Sequence, residues 1–292
     1  MTGDHGGRRV AGARTSADDR APLDANWVQR QRRHVRLWRR FLGQAVVRET
    51  HYRAHFATTL LVGLVELGLG VVPILLLFGF TEEVQGWSRA EVITLVGFYQ
   101  IITGLMAAFV APNLQRMTTY ITEGELDGVL LRPVSSQFYL TLRWINVAEL
   151  SNVASGIAVL AIGLVQSGAS PDAVQVLQAF VLAACGLVLL AAVWSALSFL
   201  AFWLQSVGPI AYIYLNLVEA GRYPLAFFPV AVRAFLTFAF PVGFASTYPA
   251  QALAGDLGWT PVAGGLALVV VAVTLVRMLW RRGLRSYASA SS

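Results

Sequence analysis

From residue 173 to residue 218 the chain reads AVQVLQAFVLAACGLVLLAAVWSALSFLAFWLQSVGPIAYIYLNLV, with no charged side chain between Asp172 and Glu219. A helix crossing bilayer hydrocarbon takes about 20 apolar residues, so this run holds two crossings. Its only polar break containing Gly and Pro, QSVGP at 205–209, is the turn between them. Further charge-free stretches at 92–115, 150–171 and 257–276 are each long enough for one more crossing. Composition points the same way: 13% of the residues are charged, against about a quarter in soluble chains, and the mean hydropathy is +0.60. The chain reads as a polytopic, all-α integral membrane protein, and its 292 residues leave no room for a substantial soluble domain.

Two absences exclude whole classes of chemistry. All 22 basic residues are arginine. Without a lysine there is no Walker A loop to hold nucleotide phosphates and no Schiff-base lysine. The four histidines, His5, His34, His51 and His55, precede the first span, so no His-rich metal centre lies within the membrane. Cys185, the single cysteine, sits in an apolar run and reads as a buried, inert thiol.

Outward from the spans, residues 1–26 are polar, with almost no large apolar side chain, and are expected to form a disordered cytoplasmic tail. Leu37, Trp38, Phe41, Leu42 and Ala45 then make one helical stripe. With Arg36, Arg39 and Arg40 beside Trp38, this is a basic amphipathic helix that lies in the interface and takes membrane lipid as its partner. Six spans follow, at about 56–80, 91–112, 146–166, 173–204, 207–222 and 257–278, within one membrane domain over 27–292. Residues 113–145 are the longest polar connection between them. Prolines 224, 229, 241 and 249 break 223–255 into short pieces, which at membrane depth need protein or a water-filled cavity around them. That stretch is expected to be a re-entrant outer hairpin. Six spans put both termini in the cytoplasm, with Arg89, Arg222 and Arg233 outside and the other nineteen arginines inside, as the positive-inside rule requires.

The stretch YITEGELDGVLLRPV at 120–134 is similar to the signature of ABC-2 type permeases of bacterial exporters. GRYPL at 221–225, FPV at 240–242, TYPA at 247–250 and RGLRSYASA at 282–290 resemble later parts of the same family, in the same order. The resemblance covers roughly residues 33–290. It departs where Gly128 replaces a larger residue and in the length of the N-terminal tail. It implies the transmembrane subunit of an ATP-binding-cassette exporter in a bacterial inner membrane, with a second, identical or related permease and a separate cassette ATPase that binds ATP and Mg. The chain itself would then be no enzyme and hold no cofactor.

The residues agree with this independently: a six-span protein with no nucleotide loop takes its energy from a partner or an ion gradient. Glu123 and Asp127 share one face of a short amphipathic helix that ends before Pro133. That helix reads either as a solvated surface or as the coupling helix between spans two and three, with Glu123, Gly124, Glu125, Leu126, Asp127, Leu130, Leu131, Arg132 and Pro133 docking on the ATPase. Glu66 falls mid-span, where a carboxylate is costly, and is expected to face the bundle interior as a structural partner or as part of the substrate path. Glu219 and Arg222, with Tyr223, lie near the outer end of span five as a local ion pair or a gate. An ion-coupled secondary transporter is disfavoured by the lack of an inverted repeat. An integral membrane enzyme is disfavoured by the lack of a catalytic cluster, and nothing suggests a nucleic-acid partner.

Overall fold

The computed structural model describes residues 38, 42–45, 53–126, 128, 140, 143–204, 208–255 and 257–286. The expected tail at 1–26 lies outside the described residues. So do Arg36, Arg39 and Arg40 of the interfacial helix, of which Trp38 is described as helical. Asp127, Leu130, Leu131, Arg132 and Pro133 are outside them too.

Helix α1, Arg53–Leu77, is apolar on every side and leaves Leu61, Leu64, Val65, Leu69, Val72 and Leu76 exposed. A helix of that kind is stable against lipid, where water would disfavour it. It ends in a two-residue hairpin, β1 (Glu83–Val84) against β2 (Trp87–Ser88). Gln85 and Gly86 both have positive φ, 53° and 78°, as a type I′ turn demands. Ser88 caps helix α2, Arg89–Leu105: its hydroxyl accepts from Glu91 N while Glu91 Oε2 accepts from Ser88 N at 2.8 Å.

The span that the sequence reading ends at Pro112 does not end there. A π-turn, Met106–Val110, carries α2 directly into α3, Ala111–Thr122, making one apolar helical run from Arg89 to Ile121. The polar residues of 113–122 mask a buried stripe of Leu114, Met117 and Ile121. Pro112 is tolerated because it stands in the first turn of α3.

Helix α4, Leu150–Ser167, packs along α2 more extensively than any other described pair of helices. Glycines seven residues apart make this possible. A Cβ at Gly97 would lie 2.5 Å from Leu160 N, at Gly104 2.9 Å from Val153 N, and at Gly156 2.8 Å from Ile101 N. The two backbones meet with no side chain between them, the way helices pack where hydrophobicity gives no drive to associate.

Helix α5, Ala173–Phe199, starts on a second capping box, Asp172 with Gln175, and runs through a 3-10 turn to Phe202. Helix α6, Gly208–Glu219, and the 3-10 turn Ala220–Arg222 together rise roughly 24 Å. That is less than the roughly 30 Å of hydrocarbon, so 208–222 is shorter than the full crossing expected of span five. Among the described residues, five helices are long and apolar enough to cross a membrane; a sixth results if Val230–Ala239 and Val242–Ala254, bent by 75°, count as one. That pair contains α7, Val230–Ala234, and α8, Thr247–Ala254. Its side chains satisfy the irregular backbone that leads into it: Arg233 donates to the carbonyls of Leu225 and Ala226, and Ser246 Oγ to that of Gly221. Gly186 of α5 admits the backbone at Phe244 and Ala245, which seats the bend on that helix. Helix α9, Thr260–Ser286, closes the chain.

Candidate functional site

Helices α1, α2, α4, α5 and α6, with the π-turn and α3, enclose an open cavity of about 540 Å³. Its wall carries Glu66 from α1, Tyr99 and Gln100 from α2, Glu149 and Asn152 from the α4 end, and Glu219 and Arg222 from the end of α6. Apolar walls come from Trp194, Tyr214 and Val218 among others. Ionisable and amide groups are rare within membrane helices and concentrate where they line a path or pair with one another. Here they converge from four separate helices.

Along one side the polar groups form a ladder. Gln100 Nε2 donates to Asn152 Oδ1 at 3.4 Å, and Asn152 Nδ2 donates to Glu149 Oε2 at 2.7 Å. The α2–α4 glycine contacts hold the two helices of this ladder together, and Asn152 also reaches the space that a Cβ at Gly63 of α1 would fill. Opposite stands Arg222. Its guanidinium lies 5.3 Å from the Tyr99 ring centre, and Tyr99, Glu219 and Glu66 are the groups that act on its charge. Gly70, one turn beyond Glu66, lets it lie against α1, for a Cβ there would be 3.4 Å from Arg222 Nη1. Tyr214 is fixed by donating its hydroxyl to Leu190 O at 3.0 Å and by a tilted contact with the Trp194 ring, centroids 4.6 Å apart.

The structure brings Glu66, Glu219 and Arg222 together, although 153 residues separate the two glutamates in sequence. Tyr223 is not on the cavity wall and is 38% exposed. Glu66 does not point into a closed core of this chain: its side chain is exposed, at the open side of the cavity. Tyr99, Gln100 and Asn152 were not singled out by sequence; a search for uncharged amides within apolar runs, in addition to charges, finds the last two.

The candidates at 123–133 are described in part. Glu123 caps α3, and Gly124, with φ of 75°, turns the chain out of it. Glu123 and Glu125 are exposed, whereas Leu126 is completely buried in the cluster that contains Leu114, Met117 and Ile121.

Lipid-compatible helices around an open cavity with polar groups on its wall define a multi-pass membrane protein. The chain belongs to the ABC-2 transporter family: the family model described as ABC-2 family transporter protein matches residues 64–291. It is thus a membrane permease of the ABC type, a family that serves as a transport component and not as a catalyst. Neither the curated proteins nor the solved structures compared with it gave a match.

Proposed function

We propose that this chain is the permease subunit of an ATP-driven exporter in a bacterial inner membrane, and that the cavity lined by Glu66, Tyr99, Gln100, Asn152, Glu219 and Arg222 is its side of the translocation path. The observation that carries the reading is the convergence of those groups from four helices on one cavity in an otherwise apolar bundle. Such groups are costly in hydrocarbon and are kept where cargo or a partner meets them.

Two further features support the assembly. The open side at Glu66 and Glu219 calls for a second permease, identical or related, to cover two carboxylates that lipid would disfavour. With no lysine for a nucleotide loop, energy comes from a cassette ATPase that binds ATP and Mg and docks on 123–133, where Glu123 and Glu125 are exposed. Both termini are cytoplasmic in this reading, residues 36–40 lie on anionic lipid, and 223–255 folds back on the outer side as a re-entrant hairpin. Three carboxylates on one cavity would equally serve an ion-coupled carrier.

Purification of the full chain from its native membrane separates the two. A cassette ATPase that co-purifies and hydrolyses Mg-ATP in lipid supports the exporter. A chain that purifies without one, and whose transport collapses with the proton or sodium gradient, makes it a secondary transporter.

A further inference from the structure

The break in the long helix of span two has an unusual filling. Pro112 has no N–H to offer the Ala108 carbonyl one turn back, and the π-turn shifts the next bond, so that Ala111 N reaches Met106 O. The Ala108 carbonyl is taken from outside the helix, by Asn146 N at 2.9 Å, while within the helix Asn113 Nδ2 donates to Phe109 O at 2.7 Å. The Asn113 side chain, only 1% exposed, also pairs with one peptide of the returning chain: Nδ2 donates to Trp144 O and Oδ1 accepts from Trp144 N, both at 2.7 Å. Arg116, one turn on, covers the Trp144 ring at 3.8 Å.

The site of this clamp matters because the cavity wall runs across the break. Thr103, Gly104, Met106 and Ala107 line it on one side and Ala111 and Gln115 on the other. Above the break, α2 is held to α4 through backbone-to-backbone glycine contacts. Below it, α3 leads within one residue to Glu123 and Gly124. A π-turn with a proline beside it is a natural bending point. Left alone, it would take up any displacement arriving from the cytoplasmic side.

We propose that Asn113 is a positioning residue that pins this joint. By fastening the chain that enters α4 onto the hydrogen-bond gap opened by Pro112, it makes α3 move as one body with α2 and α4. Displacement of the segment after Thr122 then reaches the cavity wall at Gln100, Thr103 and Asn152. This rests on the permease reading, in which the displacement comes from an ATPase.

Distances between spin labels test it on the full complex, in a Cys185→Ala background and without any need for the cargo. The pair Thr119→Cys with Ile157→Cys spans the joint, from α3 to α4; the pair Thr119→Cys with Ser286→Cys reports movement of α3 against α9. On trapping with ATP and vanadate, the first distance is expected to stay fixed in wild type while the second changes. In Asn113→Ala the joint pair is expected to change as well, by more than the roughly 1–2 Å of ordinary helix adjustment. Asn113→Leu is a second variant that keeps the volume of the buried side chain but removes both of its bonds to the Trp144 peptide, and it is expected to loosen the same joint. A joint distance as fixed in both variants as in wild type overturns the proposal, as does one that already changes in wild type. If neither pair moves in wild type although the ATPase is bound, the permease reading itself fails, and the pinned joint with it.

Discussion

The guanidinium of Arg222 stands 5.3 Å from the centre of the Tyr99 ring. That contact ties the end of α6 to the middle of α2 and, through Gly70, to α1. Among the described residues Arg222 is the only cation on the cavity wall, facing Glu66 and Glu219. A double-mutant cycle of Arg222→Leu and Tyr99→Leu, read by equilibrium unfolding in detergent, should give a coupling of about 0.5–2 kcal/mol. Tyr99→Phe, which keeps the ring face but removes the hydroxyl that meets Arg222, should retain only part of it. Additive losses would mean that the two side chains are merely neighbours.

Glycine positions differ sharply in what they tolerate. Gly97→Ala places a methyl 2.5 Å from Leu160 N and must push α2 and α4 apart. The expected loss is about 1–3 kcal/mol, seen as a lower unfolding temperature and a smaller monodisperse yield. Gly264→Ala in α9 meets nothing within 4 Å and should gain up to about 1 kcal/mol from helix propensity. Equal behaviour of the two variants would contradict the close α2–α4 contact.

The proposed topology, with both termini cytoplasmic, rests on the arginine distribution. In a Cys185→Ala background, Gln85→Cys at the exposed hairpin tip should react with an impermeant thiol reagent added to intact cells, and Ser289→Cys only after the cells are opened. Labelling of Ser289→Cys from outside would reverse the assignment of the termini.

How far this molecule could be read from its sequence depends on which property carried the information. Charge in an apolar run is conspicuous, so Glu66, Glu219 and Arg222 were legible one by one; their meeting was not, because α1 and α6 come together only through tertiary packing. Gln100 and Asn152 hardly disturb a hydropathy average, so the ladder they form stayed hidden. Residues 113–122 read as a loop because Asn113, Gln115 and Arg116 dominate the composition. Yet Leu114, Met117 and Ile121 had helical spacing, and burial of that face outweighed the polar remainder. Span five was legible as apolar sequence but not in length, since the helix from Gly208 stops being regular at Glu219. The capping boxes at Ser88 and Asp172 show the opposite case, in which three-residue chemistry sets a boundary without help from the fold.

The segment after α3 separates into two kinds of residue. Leu126 is fully buried within this chain, so Leu126→Ala should cost about 2–5 kcal/mol of the permease's own stability, measured with no ATPase present. Reversal of Glu123 together with Asp127 should leave the unfolding temperature nearly unchanged, since Glu123 is exposed, and should weaken capture of the ATPase, because like charges across an interface cost several kcal/mol, on the order of 2–5. Undiminished pull-down of the ATPase by the doubly reversed chain would remove 123–133 from the docking surface.

The central claim is that the cavity is a path whose access ATP controls. Gln115 is exposed and lines it on the α3 side of the π-turn, so Gln115→Cys in a Cys185→Ala background reports that access directly. The measurement is the rate at which this thiol reacts with a small, water-soluble maleimide in the lipid-reconstituted complex, without nucleotide and after trapping with ATP and vanadate. The account predicts a clear change in rate between the two states, absent when the ATPase is inactivated. The same rate in both states, in a complex that hydrolyses ATP, would contradict it.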